Sequence, residues 1–381
     1  KHLTFPMNSL LSALGADAHE DVMAAAQGTA MMALINGTDV VNAGQLTIAS
    51  GSSLLYSGSL GNSVPGLEVG QLNAPAGTMT WTSGELRITN GDFAIDDTAP
   101  IGQFLELNTD RQLQVSGALR VGTAGTKGEL SINDGIAVTS GSGQIGNTNP
   151  ASTTSVKVDQ SSSWEMSGDL TVGSEGAAGA QLTISNSALV SNVDAYISPR
   201  SGERSDLTLD GTAGFSQWQS SGSVYLGGNE TDRGGTATLT VEAGGFVNAA
   251  TKILVWEQAN VKVNGGGLNT PRLDLRGTLD YTGTLDLTGA GSVSALSLNR
   301  GTINASVVDF GTNSLTGTGA VNGMVIVGGD VSPTGDLTLG DASNPAAVQI
   351  GGNLNVLSHN VRINQLGSFL IGSSTTISGG S

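Results

Sequence analysis

The fold is decided by a pair of short segments, Gly-Ala-Leu-Arg-Val-Gly at residues 117–122 and Gly-Glu-Leu-Ser-Ile-Asn-Asp-Gly at residues 128–135. The pair returns as Gly-Asp-Leu-Thr-Val-Gly at residues 168–173 and Gln-Leu-Thr-Ile-Ser-Asn at residues 181–186. In each segment two apolar residues are separated by one polar residue, which places both apolar side chains on one face of a β-strand. Each strand therefore has one apolar face that must be covered.

Weaker copies of this pair continue to Val263, and a third apolar piece closes each copy. The first strands carry marker residues spaced by 24, 27, 25, 29 and 29 residues: Val121, Ile145, Val172, Ile197, Leu226 and Val255. The closing pieces contain Ile136, Val138, Trp164, Met166, Leu189, Phe215, Trp218 and Phe246. Self-similarity at such periods is typical of repeat architectures. Three strands per repeat predict the coil of an all-β, right-handed parallel β-helix, in which stacked coils bury one another's apolar faces.

The turns between these strands contain Asn90-Gly91, Asp134-Gly135 and Asp210-Gly211, residue pairs that adopt positive φ at low cost. The same pairs are typical of β-hairpins, so a hairpin meander is the alternative fold. Similarity recurs every three strands rather than every two, which favours the parallel β-helix.

The N-terminal residues differ in composition from the rest of the chain. Four of the seven methionines and an alanine cluster lie within residues 5–35. Asn8 and Asp17 are candidate N-caps, so the sequence predicts two short helices, the second running from Asp17 to Leu34, in a cap or docking segment over residues 1–40. A retained signal peptide is the alternative. Residues 41–381 are predicted to form the β-helix, with about a dozen coils and a length of about 60 Å.

Composition and charge exclude several classes of function. The chain has 15 basic and 32 acidic residues and a net charge of −17. Nucleic acid is not expected as a partner, because its phosphates bind clustered Lys and Arg, and the basic residues here are scattered. The absence of Cys excludes disulfides and thiolate metal sites. No apolar run reaches the ~18–20 residues of a membrane-spanning helix.

Both ends of the sequence lead to expectations about processing. The first residue is Lys1 rather than Met, so we expect that a leader was removed. Residues 373–381 show no capping helix or anchor, so we expect a larger precursor, a partner or another copy to continue from there.

Several segments resemble the glycine-rich β-strand repeats of bacterial surface proteins. They are Ser-Gly-Asp-Leu-Thr-Val-Gly at residues 167–173, Gly-Thr-Ala-Thr-Leu-Thr-Val at residues 235–241 and Leu-Asp-Leu-Arg-Gly-Thr-Leu-Asp-Tyr-Thr-Gly at residues 273–283. Autotransporter passenger domains and exported proteins with a PEP-CTERM sorting signal share this style. The resemblance covers about residues 40–381. It implies an extracellular or cell-surface β-solenoid, and it brings no catalytic signature.

A carbohydrate-active enzyme is the alternative function, because a parallel β-helix also carries polysaccharide lyases and hydrolases. Residues 108–110, Asn-Thr-Asp, and the pair Asp96 and Asp97 resemble fragments of the polygalacturonase pattern, and glycosidases use paired carboxylates as acid and base. The fragments stand in the wrong order, and no His lies between His19 and His359. These features disfavour the enzyme.

Other polar or aromatic residues have both a functional and a structural interpretation. Glu230, Asp232 and Arg233 either form a lyase-like group or belong to a polar loop over residues 227–235. The acidic residues Asp92, Asp96 and Asp97 either hold a cation or form a solvated turn. Either a sugar-binding strip or a buried core accounts for the four tryptophans: Trp81, Trp164, Trp218 and Trp256. The three histidines are too dispersed in the sequence for a metal site: His2, His19 and His359.

The sequence thus predicts a non-enzymatic, exported structural protein with no catalytic, cofactor or metal site, acting as a surface, matrix or fibre subunit or an adhesin stalk. Solenoid ends expose unpaired strand groups, and unlike surfaces at two ends propagate head to tail. We therefore expect end-to-end homo-oligomers, with residues 5–35 docking near Leu354, Val361 and Phe369 of a neighbour. Alternatively, residues 5–35 cap their own coils. Cell-surface glycan or matrix is the other expected partner, and a glycan-binding tail protein is a further alternative.

Overall fold

The computed structural model describes residues 22–24, 32–37, 41–48, 53–58, 67–122, 127–147, 149, 152–173, 179–286, 296–340, 347–357, 359–364, 369–371 and 377–379. Every regular element in these residues is a β-strand. The chain divides into two compact units, Lys1–Val193 and Asp194–Ser381. In each unit the strands form coils of a parallel β-solenoid, and the two units together contain about 11 turns, close to the dozen expected.

The described strands of the first unit are β1 (Val22–Ala24), β2 (Met32–Gly37), β3 (Val41–Ile48), β4 (Ser53–Gly58), β5 (Leu67–Asn73), β6 (Met79–Ile88), β7 (Phe93–Ile95), β8 (Phe104–Leu107), β9 (Arg111–Val121), β10 (Glu129–Ile132), β11 (Ala137–Ile145), β12 (Thr154–Val158), β13 (Ser163–Met166), β14 (Leu170–Val172), β15 (Ala180–Ser185) and β16 (Leu189–Asn192).

The described strands of the second unit are β17 (Ala195–Ile197), β18 (Arg204–Asp210), β19 (Ser216–Ser220), β20 (Ser223–Leu226), β21 (Thr236–Glu242), β22 (Gly245–Ala249), β23 (Lys252–Val255), β24 (Ala259–Asn264), β25 (Gly267–Asn269), β26 (Leu273–Leu275), β27 (Thr278–Asp286), β28 (Leu296–Asp309), β29 (Leu315–Val327), β30 (Val331–Leu339), β31 (Val348–Ile350), β32 (Leu354–Leu357), β33 (Val361–Ile363), β34 (Phe369–Ile371) and β35 (Ile377–Gly379).

Neighbouring coils pair in parallel in both units. In the first unit β12 pairs with β15 and β13 with β16. In the second unit β17, β20, β23 and β26 pair in succession. Each strand here pairs with the third strand along the chain, which confirms three strands per coil. Antiparallel pairing in the described residues is limited to isolated bridges such as Gly228–Arg233, so the hairpin meander is excluded.

The marker residues of the sequence repeat lie in register between coils. In the first unit Ile145 pairs with both Val121 and Val172. In the second unit Leu226 lies between Ile197 and Val255 in the same way. All of these side chains are buried. The repeat found in the sequence is therefore the coil of the solenoid.

Two of the closing strands, β16 and β22, are displaced by one residue from their predicted inward positions, whereas Trp164 and Trp218 are buried as predicted. Trp164 pairs with Val190, and Trp218 pairs with Val247. The predicted Leu189 and Phe246 are only half-buried. Side chains alternate between the two faces of a strand, so an error of one residue exchanges the inner face for the outer face.

The turn glycines meet two different requirements. Asp134 and Gly135 adopt positive φ values of 61° and 75°, as predicted. Gly91 and Gly211 do not adopt positive φ, so the prediction was wrong for them. Gly211 is needed because the coils approach closely there: a Cβ atom at this position would lie 1.9 Å from the carbonyl carbon of Gly244.

The N-terminal helical cap is not shown by the described residues. Within residues 1–40 only β1 and β2 are described, and both are strands that pair in parallel with β3 and β4. They occupy part of the second expected helix, Asp17 to Leu34. The first expected helix lies outside the described residues.

Candidate functional site

The carboxylates of the possible hydrolase site lie in different environments. Asp96 is fully buried, and its Oδ1 atom accepts hydrogen bonds from the backbone N–H and the hydroxyl of Thr98, at 2.8 and 2.6 Å. Its Oδ2 atom is also buried and has no hydrogen-bond partner among the described residues. Asp97 and Asp110 are exposed. An enclosed Asp96 cannot reach a substrate, so this geometry does not provide a pair of catalytic carboxylates.

Asp92, the remaining member of the acidic patch, links two coils. Its carboxylate accepts the backbone N–H of Ala118 at 2.8 Å and pairs with Arg120 at 2.7 Å. Burial raises the pKa of Asp92, but the hydrogen bonds from Ala118 and Arg120 and the charge of Arg120 outweigh it, so the pKa is lowered. This carboxylate is already neutralised by Arg120, which favours the structural interpretation of the patch.

The polar loop over residues 227–235, here called the cover loop, folds back on itself in the second unit. Gly234 donates its N–H to the carbonyl of Gly227 at 2.6 Å, and Asn229 donates to the carbonyl of Asp232 at 2.9 Å. The Asn229 side chain accepts the N–H of Asp232 at 2.8 Å. An Asn side chain that accepts backbone N–H groups stabilises a local turn, so the loop has a defined conformation.

The charged residues of the cover loop point to different partners. Glu230 pairs with Lys252 at 2.9 Å, and Arg233 lies 3.7 Å from Glu257. Asp232 accepts a hydrogen bond from the preceding threonine hydroxyl at 2.9 Å. The three side chains do not converge on a groove, as a lyase site would require. The arrangement agrees with the alternative of a polar loop.

Beneath the cover loop lies a group of outward-facing apolar residues, here called the outer cluster: Tyr196, Tyr225, Leu254 and Trp256. The first three occupy one register position of successive coils. Tyr225, Leu254 and Trp256 are at most 7% exposed. The indole N–H of Trp256 donates to the carbonyl of Asn229 in the cover loop at 2.8 Å. The loop therefore closes a second small core on the outside of the coils.

Two cations border the outer cluster. The Lys252 ammonium lies 5.3 Å from the ring centre of Tyr225, and the Arg276 guanidinium lies 4.0 Å from that of Trp256. These distances are typical of cation–π contacts. The hydrogen bond to Glu230 raises the pKa of Lys252 and outweighs the opposing effect of burial. Lys252 therefore remains charged. The contacts of Lys252 and Arg276 enclose the cluster, so it is not open to a ligand.

The tryptophans do not form a sugar-binding strip. Trp81, Trp164 and Trp218 are at most 3% exposed, and Trp164 donates its indole N–H to the buried Ser140 hydroxyl at 3.0 Å. Trp256 is buried as well, but under the cover loop rather than inside the coils. The prediction of buried tryptophans is confirmed.

Among the residues that the structure describes, the largely exposed aromatic side chains are phenylalanines. Phe104 is 56% exposed in the first unit, and Phe215 is 54% exposed in the second. Phe215 packs against the half-buried Phe246, with ring centres 5.9 Å apart and planes at 37°. Sequence patterning missed this pair because both residues had been assigned to the inner face.

The described residues contain no group of three or more His, Cys, Asp or Glu side chains that could hold a metal ion. His359 is half-buried, while His2 and His19 lie outside the described residues. Comparison of the chain with protein-family models, with curated proteins and with solved structures found no match. In the described part of the chain no helix is long and apolar enough to cross a membrane.

Sequence patterning also missed the outer cluster, although a signal was present. Residues 224–226 read Val-Tyr-Leu and residues 253–256 read Ile-Leu-Val-Trp, without the polar residue that separates apolar pairs elsewhere. A continuous apolar run is typical of a strand that is buried on both faces. The runs therefore marked the place where something covers the outside of the coils.

Proposed function

We propose that this chain is a non-enzymatic structural protein that is exported and serves as a surface-layer, matrix or fibre subunit or as an adhesin stalk. The main support is the continuity of register, in which Ile197, Leu226, Val255 and Leu275 align from coil to coil. Each coil buries the apolar face of its neighbours, so the arrangement extends by repetition. Such a scaffold suits a mechanical or spacing role.

We further infer right-handed coils, and a relationship to the glycine-rich repeat proteins of bacterial surfaces. Parallel β-strands joined by crossover connections follow the right-handed sense in nearly all proteins. The segments that resemble autotransporter passengers and PEP-CTERM proteins coincide with strands of the coils. Residues 168–173 contain β14, and residues 235–241 contain most of β21.

The alternative of a carbohydrate-active enzyme receives less support from the geometry. Asp96 is enclosed, and Glu230 and Arg233 are held by separate partners. Depolymerisation assays on acidic and neutral polysaccharides, with and without calcium, test the alternative directly. Turnover that is lost in Asp96→Asn or Asp110→Asn would establish the enzyme and overturn the structural role.

We also propose that copies associate end to end. In the described part of the chain β33, β34 and β35 pair with β30, β31 and β32 on one side. The opposite edge of a strand presents N–H and C=O groups that can pair with another chain. Residues 5–35 of a neighbouring copy are the proposed occupant of this edge, which gives a head-to-tail contact.

Sedimentation velocity over a range of concentrations, with electron microscopy of the same samples, tests this association. We expect the full chain to form filaments and a variant lacking residues 1–36 to remain monomeric. Circular dichroism provides the control, because the variant must keep the β-sheet spectrum of the full chain. An unchanged assembly state in a folded deletion variant would show that residues 1–36 do not dock.

A further inference from the structure

The second unit carries an uncharged aromatic and amide surface on the outer face of β19, β22 and β25. We call it the amide strip: Phe215, Gln217, Gln219, Phe246, Asn248 and Asn269. We propose that the amide strip binds an uncharged polysaccharide chain. This binding activity goes beyond the structural role proposed above and does not depend on assembly of copies.

One of the two aromatic rings of the strip lies over the backbone of the next strand. Phe246 occupies the register position between Gln217 and Gly267. A Cβ atom at Gly267 would lie only 2.4 Å from the Phe246 ring, so the missing side chain leaves space for the ring to cover this glycine. Phe215 packs beside it with its own side chain 54% exposed. The two rings form an open apolar platform.

The amides of the strip form ordered pairs next to this platform. Gln219 donates to the Gln217 side-chain oxygen at 2.6 Å, and Asn269 donates to the Asn248 side-chain oxygen at 2.9 Å. A side-chain amide has two donor hydrogens and an acceptor oxygen. Each pair therefore retains the donor group of one amide and the acceptor group of the other on the outer surface.

This combination matches the chemistry of a pyranose ring. The C–H face of a sugar packs on an aromatic ring, and its neighbouring hydroxyls both donate and accept hydrogen bonds, as the paired amides do. Strands in the strip repeat at about 4.8 Å, a spacing comparable with one sugar residue of an extended chain. A polysaccharide running from coil to coil would meet one side-chain amide on each strand, at Gln219, Asn248 and Asn269.

Charge and size argue against other occupants. The strip has no charged side chain, and the chain as a whole has a net charge of −17, which disfavours an acidic polysaccharide. β19 and β22 have five residues each and β25 has three, so the strip covers at most roughly 10 Å by 16 Å, whereas a stable protein interface buries about 800 Å² on each partner. A narrow uncharged polymer fits this area better than a second protein.

Calorimetric titration of the full chain with cellohexaose, mannohexaose and xylohexaose tests the proposal, with an oligogalacturonate as the charged comparison. The titration is done at a concentration where sedimentation shows monomers, so that failure of end-to-end assembly does not affect the result. We expect at least one neutral hexasaccharide to bind and the oligogalacturonate not to bind.

Phe215→Ala is the decisive variant, because its exposed side chain can be removed without opening the core. We expect it to weaken binding about tenfold. Phe104→Ala is the control. Phe104 is equally exposed, but its register partner is Glu129 rather than a residue of the amide strip. We expect this variant to bind the sugar with unchanged affinity. Absence of binding to all three neutral sugars, or equal affinity in wild type and Phe215→Ala, would overturn the proposal. A concentration-dependent dimer that Phe215→Ala abolishes would assign the strip to a second copy instead.

Discussion

Tyr196 and Tyr225 stack on the outside of the second unit, with ring centres 5.1 Å apart and planes at 10°. They are register partners on adjacent coils, and the coil spacing of about 4.8 Å is close to the separation of stacked rings. A parallel solenoid thus places like residues directly over one another. The outer cluster extends this stack to Leu254 and is closed by the cover loop.

Replacing Tyr225 by Ala should destabilise the second unit by about 3 kcal/mol, because the side chain is 5% exposed and its loss leaves a cavity in the outer cluster. Tyr225→Phe keeps the stacked ring and should remain within about 1 kcal/mol of wild type. Urea unfolding followed by tryptophan fluorescence measures both variants. Equal midpoints for the two would show that the stacked ring contributes nothing.

Glycine substitutions at one corner of the first unit should differ sharply in cost. A Cβ atom at Gly141 would lie 2.2 Å from the carbonyl oxygen of Ser116, whereas one at Gly91 would come no closer than 3.6 Å to the Gln71 side chain. Gly141→Ala must push two coils apart, so we expect a loss of roughly 1–3 kcal/mol or more. Gly91→Ala is the matched control and should be nearly neutral. Thermal unfolding measures the difference, and similar melting temperatures would contradict close coil contact at Gly141.

Opening the cover loop should expose a single tryptophan. A Cβ atom at Gly228 would lie 2.4 Å from the carbonyl oxygen of Asp232 and 2.7 Å from the indole of Trp256. We therefore expect Gly228→Ala to displace the loop and to increase acrylamide quenching of Trp256, while the three interior tryptophans stay protected. Glu230→Gln is the control on the same loop: it removes a partly exposed ion pair worth at most about 1 kcal/mol. Equal quenching in wild type and Gly228→Ala would show that the loop does not cover Trp256.

The sequence correctly predicted the inward residues that recur from coil to coil. The prediction failed where a coil departs from the repeat. Val121, Ile145 and Val172 were correctly assigned to one column, because alternation and period both depend on burial of the same inner face. The outer cluster could not be derived in this way, since Tyr225 and Leu254 face outward and are buried by packing with Tyr196 and Trp256, beside a loop inserted at residues 227–235. Position in the repeat says nothing about such a cover.

The amide strip shows the same limit in another form. Phe246 was assigned to the inner face, but Val247 occupies it. The prediction followed the hydrophobicity of Phe246 and therefore placed this strand one residue out of register. The strip could be recognised only from the strand register, which places Phe246 over Gly267 and beside the amides.

Asp159 should make the stability of the first unit depend on pH. It is 4% exposed, and its Oδ1 atom accepts hydrogen bonds from Ser185 and Asn186 at 2.9 and 2.6 Å, while Lys157 pairs with Oδ2. Burial raises the pKa of Asp159, but these hydrogen bonds and the charge of Lys157 outweigh it, so the pKa in the folded protein is lowered.

A lowered folded pKa means that the unfolded chain takes up the proton at a higher pH than the folded protein does. The stabilising contribution is therefore complete above the unfolded value of about 3.9 and is lost as the pH falls through the folded pKa. We expect wild type to be more stable than Asp159→Asn at pH 7, and the difference in melting temperature to shrink below about pH 4. Lys157→Gln retains the bonds from Ser185 and Asn186, so its difference from wild type should be smaller. A difference between wild type and Asp159→Asn that stays constant from pH 7 to pH 2.5 would show that this carboxylate has the same pKa in both states.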